Sequence, residues 1–323
     1  MLPQLRLMRL RFEMEIEADA SLPPYKGDLL RRALLWHLGA IWCRQHNRCR
    51  NGCQSPHDCI FGTLLEPPLD PTWSEPIRRL MGTTPPPAYV LWDGQDRRRQ
   101  VKAGDRLAFE LVLIGQAAHQ QLPAFIATTM VACERGMGRQ RLKARLRRVE
   151  ALTGPDGKAH PLLINGVWQG DVVQDLTLGY DDGQAWVERS APQETRPLTR
   201  LSLRYLSPVK IKMRGQFARE PHFPALARAV VRRLRILSEV HSAGEWSKAE
   251  YGPLLDLADE VQLEHHETTW ISATRHSKRG GRMPLEGFLG QAWYASPADL
   301  RPLLPVLWLG QWVHVGKGGC LRS

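Results

Sequence analysis

Residues 4–17, QLRLMRLRFEMEIE, alternate apolar and charged side chains, from Met8 onward without a break, and no other stretch restricts the fold as much. A period of two puts every second side chain on one face of an extended strand, whereas on a helix the same residues would scatter around the axis. One face must lie in a core, and Arg9 and Arg11 line the other. The turn Leu22-Pro23-Pro24-Tyr25-Lys26-Gly27 follows, with Asp28 placed to cap a helix running to about Trp42. On that helix Leu30, Ala33, Leu34 and Ile41 share a stripe with His37, while Arg31 and Arg32 emerge beside it.

The next elements complete a pattern. Tyr89–Gly94 and Asp105–Gly115 read as strands, Leu122–Cys133 as a helix ended by the glycine-basic loop Gly136-Met137-Gly138-Arg139, and Leu142–Leu152 as a closing strand. The order β-α-β-β-α-β is the ferredoxin-like arrangement. The proline-rich stretch Ile60–Pro87 reads as an extended connector, and Pro155–Arg196 as a linker with short strands, which places a domain boundary near 195. Beyond it come a strand with alternating cations (Leu201–Gly215), a strong helix (Pro224–Val240), a helical segment (Leu254–Val261), the segment Glu264–Arg275 and a dense basic loop, Arg275-His276-Ser277-Lys278-Arg279-Gly280-Gly281-Arg282. The stretch Pro284–Gly319 then reads as strand, Ser296-Pro297-Ala298-Asp299 start signal, short helix and glycine loop, so the second half repeats β-α-β-β-α. The expected fold is α+β, with two tandem domains of this kind at 1–195 and 196–323.

Gly316-Lys317-Gly318-Gly319 can turn main-chain N–H groups into a nest beside a lysine, which suits a phosphate. The longer P-loop ending in Lys-Ser/Thr is absent, which argues against a nucleotide triphosphatase. The chain's net charge of +11, from 44 Lys and Arg against 33 Asp and Glu, favours a nucleic-acid partner, and the arginine-lined face of the first strand is a surface that could touch RNA. No signal peptide and no apolar run of about 18 residues is present, so a cytoplasmic protein with reduced thiols and no membrane partner is expected.

Cys43, Cys49, Cys53 and Cys59 crowd a loop at 43–59 with C-x5-C-x3-C-x5-C spacing, inserted in the first domain. A structural zinc is the usual reason for such crowding, with reduced unbound thiols and a redox or cluster role as alternatives; the spacing matches no common zinc finger.

Taken in order, several motifs resemble one family. They are Pro23-Pro24-Tyr25-Lys26-Gly27 leading to Leu30-Arg31, the cysteines leading to Ile60-Phe61-Gly62, Gly104-Asp105 before Leu113-Ile114-Gly115, Ser207-Pro208-Val209-Lys210, Arg275-His276-Ser277 before Met283–Gly290, and His314-Val315-Gly316-Lys317-Gly318. Together they resemble the CRISPR-associated endoribonucleases that cut precursor CRISPR RNA, the sixth Cas family of the RAMP superfamily. The resemblance implies two ferredoxin-like, RRM-related domains and cleavage of repeat RNA with no catalytic cofactor. It further implies attack of the ribose 2′-hydroxyl on the adjacent phosphate to leave a 2′,3′-cyclic phosphate.

In that family the catalytic histidine sits on or just after the first helix, which implies His37 or His46, with Tyr25, Lys26, Arg31 and Arg32 as auxiliaries; His276 is a third candidate. RNA contacts are expected from Arg32, Lys210, Lys212, Arg214, Arg232, Arg233, Arg275, His276, Lys278 and Arg279, and from the loop Gly316, Lys317, Gly318 and Gly319. His314 reads as a packing or RNA-contact residue. After Gly319 only Cys320-Leu321-Arg322-Ser323 follow, so part of the family's last strand is expected to be missing. That departure motivates the alternative of a non-cleaving RAMP subunit holding the repeat-derived end of guide RNA among other effector subunits. A metal-dependent nuclease is the weakest reading, with His265-His266-Glu267 its nearest ligand set.

Overall fold

The structure, a computed structural model, describes residues 4–23, 25–43, 53, 59–82, 84–169, 175–190, 196–213, 215–242, 244–276 and 282–315, without the side chains of 273–276 and 282–285. These residues group into two units, 6–178 and 179–315 with the first few residues of the chain.

In the first unit the alternating stretch becomes β1 (Leu7–Ile16), followed by α1 (Gly27–Trp42), β2 (Tyr89–Trp92), β3 (Arg106–Ile114), α2 (Leu122–Arg135) and β4 (Ala144–Thr153). The strand order β2-β3-β1-β4, antiparallel throughout, is the ferredoxin-like order that the sequence predicts. Two further strands, β5 (Lys158–Ile164) and β6 (Val167–Trp168), extend the sheet beyond β4, and β7 (Thr177–Leu178) pairs with β1. Met8, Leu10, Phe12, Met14 and Ile16 point into a core shared with Leu30, Leu34 and Leu38 of α1 and Phe125, Ile126 and Cys133 of α2. Phe12 stacks on Phe109 of the adjacent strand with ring centres 4.9 Å apart. Removing side chains of this size from water is the main stabilising contribution to the unit.

The opposite face of β1 is a lattice of ion pairs. Arg9 meets Glu110 at 3.3 Å with both side chains buried, Arg106 meets Glu13 at 2.8 Å, and Arg147 meets Glu15 at 3.0 Å. The arginines that the sequence offered to RNA on this strand are engaged within the sheet, because the antiparallel register sets acids of one strand opposite cations of the next.

The connector expected over 60–87 is docked and partly helical. Phe61–Leu65 forms one wide turn and Glu75–Met81 a short helix, and they bury Phe61, Leu64, Leu65 and Ile77. Ile41, expected in the buried stripe of α1, is 43% exposed near the helix end.

The second unit contains α3 (Tyr180–Ser190), β8 (Arg200–Val209), α4 (Phe223–Ser242), α5 (Lys248–Asp259), β9 (Gln262–His276), β10 (Arg282–Ala295) and α6 (Leu304–Gly310). Its sheet order, β8-β10-β9, matches three of the four ferredoxin-like positions. Tyr205 and Tyr294 lie hydroxyl to hydroxyl at 2.7 Å in this core, and the Tyr294 hydroxyl donates to the carbonyl of Pro221 at 2.7 Å. Ser296 accepts from the N–H of Ala298, and Asp299 from those of Leu198 and Arg301, which fixes the turn into α6 as its start signal predicts. Residues 179–190, placed by sequence in the first domain, group with the second unit because α3 packs on α6. No helix among the described residues is long and apolar enough to cross a membrane.

Candidate active site

The first helix carries most of the expected catalytic residues, and its two ends have different environments. At the N-terminal end Lys26 is buried, and its ammonium donates to the carbonyl of Asp96 at 2.7 Å and lies 3.6 Å from that residue's carboxylate. The N–H of Gly27, an orphan donor in the first turn, is satisfied by the Asp93 carboxylate at 2.8 Å. Asp96 is itself clasped by Arg98 at 2.7 Å, and the hydrogen bond from that guanidinium brings its carboxyl down to about 2. The Arg97 guanidinium covers the ring of Tyr25 at 4.6 Å. Arg31 and Arg32 both reach Asp28, at 3.2 and 3.4 Å. Tyr89 beneath them has its phenol pushed up to about 12 by burial.

Two of the expected auxiliaries, Tyr25 and Lys26, therefore fix the entry of α1 on the 93–98 loop, while Arg31 and Arg32 are tied to Asp28 within the helix. Replacing Lys26 by Met should lower stability by about 2 kcal/mol, the usual loss for a charge-assisted hydrogen bond, as read by urea unfolding. Cleavage per folded molecule should fall by less than about threefold, against the hundredfold or more that losing a proton-transfer group brings.

His37 lies eleven residues further on, roughly 16 Å along the helix axis from Lys26, so the two cannot act on one phosphate. His37 is buried, and its Nδ1 has no hydrogen-bond partner among the described residues. A histidine kept only for packing is normally satisfied, since an orphaned buried polar atom costs about 1–3 kcal/mol. Burial first, and then the positive charge of Arg135, hold its pKa below the usual histidine value, so at neutral pH the imidazole is uncharged and can accept a proton.

Arg135 ends α2 and opens the glycine-basic loop. Gly136 and Gly138 take positive φ angles of 90° and 72°, and a side chain at Gly136 would meet the Arg141 carbonyl at 2.8 Å. Paired backbone bonds between Met137 and Leu142 close the loop, and Gly138 sits against Leu29 of α1. Arg135, Arg139, Arg141 and Lys143 are exposed, with no carboxylate partner among the described residues. Sequence reasoning noted the loop but missed Arg135 as a neighbour of His37. Its signal was faint: one arginine in the last turn of a helix.

The remaining expected residues are dispersed. Lys210 is tied to Glu286 at 2.6 Å and lies over the Phe217 ring, which also faces Lys212. Arg232 is exposed on α4. Arg233 has an enclosed Nε without a partner among the described residues, and burial brings its guanidinium down to about 10. Arg275 and His276 end β9, with side chains outside the description. His46, Cys49, Arg214, Lys278, Arg279, Gly316, Lys317, Gly318 and Gly319 lie outside the described residues. Cys43 is buried, and Cys59 accepts the N–H of Gly62 on its sulfur at 3.2 Å. Among the described residues Cys43, Cys53 and Cys59 do not gather with other donors into a metal-binding group.

Two family models cover this architecture. An N-terminal-domain model, AF_1859_N, matches residues 5–175, over half of the chain, and the model for CRISPR-associated endoribonuclease Cas6 matches residues 203–319. No curated protein matches. Among solved structures, a Cas6 product complex is 14% identical at a TM-score of 0.55, covering 98% of this chain and 97% of that one. Thermus thermophilus Cas6 is 12% identical at 0.51, covering 97% and 94%. A partial Cas6-RT-Cas1–Cas2 complex is 16% identical at 0.58, covering 97% of this chain and 44% of the larger one. These likenesses support the fold, two ferredoxin-like domains in tandem, and the matched models carry the assignment. Over residues 203–319 the chain carries the domain of the CRISPR-associated endoribonuclease Cas6 family, preceded over residues 5–175 by the AF_1859_N N-terminal domain.

Proposed function

We propose that this protein cuts precursor CRISPR RNA within its repeats, by attack of a ribose 2′-hydroxyl on the adjacent phosphate, with His37 as the base. The observation that carries the reading is the buried, partnerless Nδ1 of an imidazole kept uncharged by burial and by the positive charge of Arg135. The neutral ring takes the 2′-hydroxyl proton as the new P–O bond forms. Arg135 and its neighbours Arg139 and Arg141 balance the charge that grows on the phosphoryl oxygens. The bond to the 5′ oxygen then breaks, that oxygen keeps the electron pair and takes a proton from water, and the products end in a 2′,3′-cyclic phosphate and a 5′-hydroxyl. The nucleophile belongs to the RNA and the base to the protein, so the step needs no metal-activated water.

The low exposure of His37 favours a second reading, a subunit that holds the repeat-derived end of guide RNA without cutting it. Incubation with the host's own repeat RNA in EDTA separates the two. A single site-specific cut supports the first, and stable uncut binding the second.

A further inference from the structure

Trp36 is 69% exposed on the outer face of α1, and its ring meets no aromatic or cationic partner among the described residues. It shares a helical stripe with Leu29, seven residues earlier, and with Arg32 and Ala40, four residues to either side. Leu29 is the residue against which the glycine-basic loop rests at Gly138. That loop presents Arg135, Arg139, Arg141 and Lys143, exposed and without ion pairs among the described residues, with only Glu134 as a nearby carboxylate in sequence. Trp36 lies two helical turns, roughly 10 Å along the axis, from Leu29, and an exposed ring on the same helix stripe as the support of a cationic loop combines the two contacts that bind an unpaired nucleotide. One is a π-face for the base, and the other is positive charge for the phosphates on either side.

We propose that the outer face of α1 and the Gly136–Lys143 loop form a binding site for unpaired RNA, with Trp36 stacking on one base and Arg135, Arg139 and Arg141 holding the flanking phosphates. The inference rests on the chain being an RNA-cutting enzyme and adds where, and in which strand state, the RNA is held. Bases inside a duplex are already stacked, so Trp36 selects a splayed base, and the site is specific to single-stranded segments next to His37.

The test is fluorescence anisotropy with a short labelled single-stranded RNA and with a blunt RNA duplex of the same composition. Trp36→Ala should weaken single-strand binding by about 5- to 100-fold and change duplex binding by less than about twofold, and Trp36→Phe should recover most of the loss. Arg139→Gln combined with Arg141→Gln should lower the slope of log affinity against log salt by about 1.4 on the single strand. Thermal melting of each variant at the wild-type temperature confirms that folding is intact, as expected for exposed positions. Equal loss on both probes, or none on either, overturns the site. So does self-association that Trp36→Ala relieves with RNA affinity intact, since that marks a protein contact. If the wild-type protein binds RNA and never cuts it, the enzyme reading falls while this site stands. If it cuts repeat RNA but Trp36→Ala binds single strands as the wild type does, the site falls while the enzyme reading stands.

Discussion

His37→Ala lowers the single-turnover rate of repeat-RNA cleavage by about 10²- to 10⁴-fold, the usual contribution of a positioned proton-transfer group, and leaves RNA affinity almost unchanged. Binding is carried by cations that the substitution does not touch, namely Arg135, Arg139 and Arg141 on the glycine-basic loop. The pH profile carries the same assignment. With its pKa below the usual histidine value, the ring is already neutral at pH 7, so the rate is flat around neutrality and falls only as the pH drops through the lowered pKa. Stability follows the same direction. Below pH ~6.5 the unfolded chain takes up the proton more readily than the folded one, so the native state loses stability as the pH falls. His37→Gln should abolish that part of the acid sensitivity along with the cleavage.

Gly290→Ala destabilises the second unit by about 3 kcal/mol, a drop of roughly 6–12 °C in melting temperature for a domain of this size. Gly290 lies in β10, the central strand of its sheet, paired with Tyr205 on one side and Thr268 on the other. Its φ of +134° belongs to a region that side chains rarely adopt, and an added Cβ would fall 2.1 Å from the carbonyl oxygen of Glu267. The obstacle is backbone within a paired strand, which cannot swing aside as a side chain would. Relief would require breaking the β9–β10 ladder where it supports the Tyr205–Tyr294 core. Differential scanning calorimetry reads this directly, and a melting temperature within about 2 °C of the wild type would contradict the close packing of these strands.

Much of this fold is legible in the residues because half-buried strands write their burial as alternation. β1 and β3 are readable for that reason, and the two helices of the first unit through their apolar stripes. Other features depend on contacts distant in sequence. α3 carries only Tyr180 and Gly183 as buried residues, so it shows no apolar stripe, and it exists because Gly183 lets α6 approach its backbone. The docked segment 61–81 looks like a connector because its prolines hide two short helical turns.

The site divides in the same way. His37 is visible as a candidate through its place on the first helix. The structural role of Lys26 is not, because its partner Asp96 lies seventy residues away and only the fold brings them together. Arg9 and Arg11 read as an open cationic face until the register sets Glu110 against them.

The chemistry of the cut ends tests the account most directly. Repeat RNA incubated in EDTA with the wild-type protein and with His37→Ala, followed by mass spectrometry of the fragments, should give one pair of products from the wild type alone, ending in a 2′,3′-cyclic phosphate and a 5′-hydroxyl. Products ending in a 3′-hydroxyl and a 5′-phosphate, or an undiminished yield from His37→Ala, would contradict attack by the 2′-hydroxyl with His37 as its base.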